Sequence, residues 1–175
     1  MKPLLACIAV IAFSSTLSIA QPAPKPIEKL QWMAGTWEAE EGTGSDKETV
    51  RLNAWLAPSG TAIQYHVDII HANGVTPRYD GMFYWIASSK TYVIRQVSIT
   101  GGVVEGEYKQ DGTQASQEEA VFNPDGTKSF IKAEYTISPG QFRFQAQFRA
   151  SESAAWIPAV DVTYRKIESG LKNQR

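Results

Sequence analysis

Apolar and polar residues alternate along most of the chain beyond residue 36. Ile63, Tyr65, Val67 and Ile69 are interleaved with Gln64, His66 and Asp68; Ile131, Ala133, Tyr135 and Ile137 with Lys132, Glu134 and Thr136. Phe142, Phe144, Ala146 and Phe148 alternate with Arg143, Gln145, Gln147 and Arg149, and Val160, Val162 and Tyr164 with Asp161, Thr163 and Arg165. A period of two with one apolar face predicts half-buried antiparallel strands. Turn chemistry punctuates them at Pro58-Ser59-Gly60, Asn73-Gly74, Ser88-Ser89, Gly101-Gly102, Asp111-Gly112, Asn123-Pro124-Asp125-Gly126 and Pro139-Gly140. Asn-Gly and Asp-Gly supply the positive φ angles of tight hairpins, which gives about ten strands in hairpin order.

One stretch reads as helix, Ile27 to Ala34, with Pro26 suited to its first turn and Gly35 to the position just after its last. It is too short to stand alone and reads as a cap on something larger. The expected fold is all-β: an up-and-down antiparallel barrel of about 8–10 strands with a short N-terminal capping helix. Closure removes the two exposed sheet edges. A two-sheet sandwich is the alternative, but it favours shorter strands and Greek-key links.

Residues 1–20 read as a signal peptide. Lys2 is the positive start, Leu4 to Phe13 the apolar run, and Ser18-Ile19-Ala20 the small-residue cleavage site. The apolar run falls short of the roughly 20 residues that cross a bilayer. Gln21 to Pro26, with three prolines, reads as an extended tether, 27–168 as the barrel domain and 169–175 as a C-terminal tail. The expected product is exported, periplasmic or secreted, and not embedded in the membrane.

Charge and composition then narrow the partners. The chain carries 17 Lys+Arg against 18 Asp+Glu. Removal of residues 1–20 takes Lys2 and the single cysteine, Cys7, leaving a net charge of −2 and no thiol. No basic excess exists to grip a phosphate backbone, so a nucleic-acid partner is not expected. Disulfide and thiol chemistry are excluded for the processed chain. Seven Phe, seven Tyr and five Trp supply an aromatic core.

Leu30-Gln31-Trp32-Met33-Ala34-Gly35-Thr36-Trp37 resembles the start of a calycin, or lipocalin-like, barrel. In that superfamily a short helix closes one end and leads into a Gly-x-Trp motif on the first strand, here Gly35, Thr36 and Trp37. The resemblance implies an Arg near the end of the last strand, stacked on that Trp; Arg165 is the matching residue. It extends to small exported lipocalin-like proteins of bacteria, and implies a small apolar or amphiphilic ligand. A second resemblance is to haem-binding barrels of the nitrobindin type, whose Gly-Thr-Trp is followed by a Gly-x-Gly, here Gly42-Thr43-Gly44. That family ligates iron through a His late in the chain. The two histidines here are His66 and His71, so no cofactor is expected.

Candidate chemistry is sparse. His66 and Asp68, at i and i+2, share one strand face and could form a base and its orienting acid, but on the alternation above that face is the polar, outward one. His71 lies at the mouth of the Asn73-Gly74 turn. Two separated histidines and one Asp match no metal-ligand spacing. No Gly-x-Ser-x-Gly occurs, and Gly101-Gly102 lacks the helix and Lys of a phosphate loop. Adjacent acids at Glu40-Glu41 and Glu118-Glu119 point to opposite strand faces and read as solvated. Arg95 lies in Thr91 to Val97, which is apolar on both faces; inward, it would need an acid or an anionic ligand. The Tyr79–Ile86 run has the same ambiguity and reads either as packed beneath the cap or as an external patch. The expected function is binding of a small apolar or amphiphilic ligand by Tyr65, Val67, Arg95, Tyr135, Phe142, Phe144 and Phe148, without catalysis. An enzyme built on His66/Asp68 or Arg95 is the alternative.

Overall fold

A computed structural model describes residues 26–167 apart from 43, 45 and 46. The expected signal peptide (1–20), the expected tether as far as Lys25 and the expected tail (169–175) lie outside the described residues. A 3-10 helix, Pro26–Met33, precedes ten strands. These are β1 (Gly35–Glu41), β2 (Glu48–Leu56), β3 (Ala62–His71), β4 (Gly74–Ile86), β5 (Thr91–Ser98), β6 (Val103–Asp111), β7 (Gln114–Phe122), β8 (Lys128–Ser138), β9 (Gln141–Arg149) and β10 (Ile157–Ile167). Each strand pairs antiparallel with its neighbours in sequence, and β1 pairs with β10 to close the barrel. The expected up-and-down barrel is therefore the observed fold, with a 3-10 rather than an α-helical cap.

Register carries the inner face around the wall. Trp37 opposes Leu52, Ala54 opposes Tyr65, Ile63 opposes Phe83, and Phe83 opposes Ile94. On the far side Tyr135 opposes Phe144, and Phe142 opposes Tyr164. Leu30 and Ile27 of the 3-10 helix are buried with these residues, so the helix plugs the end at which β1 begins. The Tyr92 hydroxyl donates to the Pro26 carbonyl, and the Trp32 indole donates to Gln110 Oε1 at 3.1 Å, tying the plug to β5 and β6.

The ring–ring contacts are mostly edge-to-face. Trp37 meets Phe142 at 5.2 Å, Phe83 meets Tyr108 at 5.2 Å, and Phe142 stacks on Tyr164 at 4.8 Å. Each such pair adds about 0.5–1.5 kcal/mol beyond the area it buries. The aromatic residues thus fill the plugged end of the barrel and form its floor.

Two glycines make close packing possible. Gly35 adopts φ +132, and a Cβ there would lie 2.6 Å from Lys166 Cε. Gly81 opposes Tyr65 across the β3–β4 ladder, and a Cβ on it would overlap the hydroxyl end of the Tyr65 ring, at Cζ. The missing side chain at 81 is the space that Tyr65 occupies.

Candidate functional site

Above the aromatic floor the barrel encloses a cavity of about 310 Å³. That is the lower end of the range of small-molecule sites, roughly 300–1,000 Å³. Tyr65, Val67, Tyr135, Phe142, Phe144 and Phe148 all line it, together with Leu52, Ile63, Phe83, Ile94 and Ile131. Small side chains at Ala54 and Ala146 help to leave the volume open.

Arg95 is placed elsewhere. It is exposed on the outer wall, where its Nε donates to Glu105 Oε1 at 2.6 Å across the β5–β6 ladder. Tyr92 and Ile94 take the inward phase of that strand and are buried. The expectation that Arg95 contributes to an interior site is therefore corrected. The arginine that does line the cavity is Arg78, whose Nη1 donates to Glu41 Oε2 at 2.7 Å. A β-bulge between Val67 and Asp68 shifts the register of β3 on β4: Val67 opposes Tyr79 and Asp68 opposes Pro77. Arg78 is the extra residue, and it enters the interior from a position that strict alternation would not assign. Burial is the largest single influence and disfavours its charge, but the hydrogen bond to Glu41, the Glu41 charge and Tyr79 together outweigh it, so the guanidinium holds its proton more tightly than usual.

The acid pairs are corrected in the same way. Glu40 faces outward, but Glu41 follows Trp37 and Ala39 onto the inner face and is partnered by Arg78. Glu118 is exposed, whereas Glu119 is only 3% exposed and lines the cavity. It lies between Gly106 of β6 and Ile131 of β8 in the ladders. Its Oε1 is buried without a hydrogen-bond partner. Desolvation, with no cation to offset it, pushes the carboxyl up to about 8.

Two buried phenols in the cavity have acceptors. The Tyr65 hydroxyl donates to Gln96 Oε1 at 2.7 Å, and the Tyr135 hydroxyl donates to Gln117 Oε1 at 2.6 Å. Burial first, and the Glu119 charge second, raise both phenols well above their ordinary value, so they remain neutral donors.

The likeness to known structures lies in the barrel. Rv2717c from M. tuberculosis, known from a crystal structure, superposes with a TM-score of 0.60 at 12% identity, covering 83% of this chain and 99% of that one. The chain shares its fold. No family model matches the sequence, and no curated protein matches it. The closed ten-strand barrel fits a calycin, lipocalin-like architecture.

At the Gly-x-Trp motif, Trp37 is buried and its indole donates to the Met33 carbonyl at 2.8 Å. The cation over its ring is Lys166, with Nζ 5.0 Å from the centroid, and not Arg165. Tyr164 faces inward, so Lys166, two residues on, shares its face while Arg165 points out opposite Glu38.

Neither histidine lines the cavity. His66 sits on the outer wall, with Nδ1 2.6 Å from Asp80 Oδ1 and Nε2 2.7 Å from Asp68 Oδ1. The Asp80 contact is an aligned hydrogen bond; the Asp68 contact is a close charge pair without that alignment, since Asp68 Oδ1 gains no hydrogen bond. The bond to Asp80 leads the causes that raise the His66 pKa. His71 is exposed at the end of β3. An iron-bound haem would thus lack a histidine ligand inside the barrel. Among the described residues no three His, Cys, Asp or Glu side chains cluster to hold a metal ion, and no helix is long and apolar enough to cross a membrane. In the Tyr79–Ile86 run Tyr79 and Phe83 line the cavity, Trp85 packs on Tyr92 with centroids 4.8 Å apart, and Met82 is exposed.

Proposed function

We propose that this protein is an exported binding barrel that holds a small apolar or amphiphilic molecule in its interior. The observation that carries the reading is the 310 Å³ cavity, walled by aliphatic and aromatic side chains and entered by few polar groups. An apolar enclosure of that kind, with a small number of placed polar atoms, is the usual form of a small-molecule site. The polar groups suit an amphiphile, whose tail would lie against Phe142, Phe144 and Ile63 with its head toward Glu41, Arg78 and Glu119. Catalysis has no comparable support, because the His66, Asp68 and Asp80 group faces away from the cavity.

Export rests on the leader read from residues 1–20, and the expected mature N-terminus is Gln21. Native mass spectrometry with an absorbance scan of the protein recovered from the exported fraction tests both parts. The expected result is a chain starting at Gln21 that carries a non-covalent small-molecule adduct. A haem band would instead favour the nitrobindin-type reading. A protein that carries no adduct and takes up no amphiphile when challenged would overturn the binding role.

A further inference from the structure

We infer that the cavity selects an amphiphile with a cationic amine head, and that Glu119 is the group that receives it. This rests on the binding role proposed above and specifies its ligand class. The argument starts from charge inside the wall. The charged side chains lining the cavity are Glu41, Arg78 and Glu119. Glu41 and Arg78 neutralise one another at 2.7 Å, so no free cation remains there to hold a carboxylate or phosphate head. Glu119 is the ionisable group left over, and its buried Oε1 has no donor. A buried carboxyl without a donor is costly, and a ligand bringing N–H groups and positive charge would remove the cost.

The neighbours do not supply that donor. Across the ladders Glu119 meets Gly106 on β6 and Ile131 on β8, neither titratable. The phenols facing it from β3 and β8, Tyr65 and Tyr135, spend their protons on Gln96 and Gln117. The remaining titratable lining groups, Tyr79 on β4 and Tyr164 on β10, belong to the region of the Glu41–Arg78 pair.

Proton balance follows. At pH 7 the empty site holds Glu119 mostly as the neutral acid, since its titration is centred at about 8. An alkylamine arrives as the ammonium, with a pKa near that of a lysine, about 10.4. Formation of the ammonium–carboxylate pair leaves the ammonium intact and expels the Glu119 proton to solvent. Close to one proton is therefore released per amine bound.

Titration calorimetry at pH 7 with n-octylamine, n-octanol and n-octanoate, in two buffers of different ionisation enthalpy, tests this. Octylamine is expected to bind at least tenfold more tightly than the other two, with proton release on the amine alone. Glu119→Gln is expected to bring octylamine down to the affinity of octanol while octanol binding persists. Equal binding of all three, or tighter octanoate, would overturn the amine assignment and leave the binding barrel standing. Amine binding without proton release in the unsubstituted protein would exclude Glu119 as the receiving group, whatever the variant does. If none of the three binds, the binding role itself fails.

Discussion

Lys166 Nζ sits 5.0 Å from the centroid of the Trp37 ring and donates to the Ala34 carbonyl at 2.8 Å. One side chain thereby joins the last strand to the first and caps the carbonyl at the exit of the plug helix. The contact covers a Trp that is itself buried, which favours a cation over its face.

Replacement of Lys166 by Met should therefore keep the packing and lose both polar contacts. The expected loss is about 1 kcal/mol by chemical denaturation, since the ammonium is partly solvated. Arg165→Met is expected to leave stability within roughly 0.5 kcal/mol, as for other surface changes. The reverse ranking would restore Arg165 as the residue that serves Trp37.

Glu119 predicts a gain of stability on substitution. Its folded pKa of about 8 lies above the ordinary 4.5, so the folded state binds the extra proton. Stability is then highest below 4.5 and falls as pH rises from there through 8. Glu119→Gln removes that dependence. Near pH 7 the variant should exceed the parent by on the order of 2–3 kcal/mol, with the difference shrinking toward pH 4.5. Melting curves across that range check it; a pH-independent difference would mean the carboxyl keeps its ordinary pKa in the folded state.

His66 has the opposite sense of benefit. Its pKa is raised, led by the Asp80 hydrogen bond and reinforced by Asp68. The charged pairing therefore stabilises the fold fully below 6.5 and fades as pH climbs through the raised value. His66→Gln should melt below the parent at pH 6 and match it in mildly alkaline solution.

Gly81 and Tyr65 form a steric pair. Gly81→Ala drives a methyl group against the hydroxyl end of the Tyr65 ring, and the expected cost is roughly 1–3 kcal/mol. Tyr65→Leu should relieve much of the penalty that the alanine adds. Additive losses in a double-mutant cycle would show that the two sites do not share space.

Much of this fold was legible because strands advertise themselves twice, by alternation and by turn residues. Parity reaches beyond the apolar positions. Trp37, Ala39 and Glu41 run inward at i, i+2 and i+4, and so do Val162, Tyr164 and Lys166, so the inward Glu41 and Lys166 follow from the same rule that placed their neighbours. Glu119 shares a phase with Ala115, Gln117 and Val121, a mixed face that gave no apolar signal. Arg78 was hidden for a different reason: the bulge at Val67/Asp68 breaks the period of two, and Pro77 beside it is the one local residue that announces it. Arg95 lay in a strand apolar on both faces, and only the cross-strand pairing with Glu105 fixes its direction.

The account stands on an interior that accepts a ligand, and filling that interior is the most direct test. Ala146 lines the cavity, and Ala146→Phe would occupy part of it. The measurement is n-octylamine affinity by titration calorimetry for the parent and for this variant, with circular dichroism to show that the variant retains its strands. The expected result is binding by the parent and at least a tenfold weaker affinity for the folded variant. Undiminished binding by the folded variant, or no binding by the parent, would contradict it.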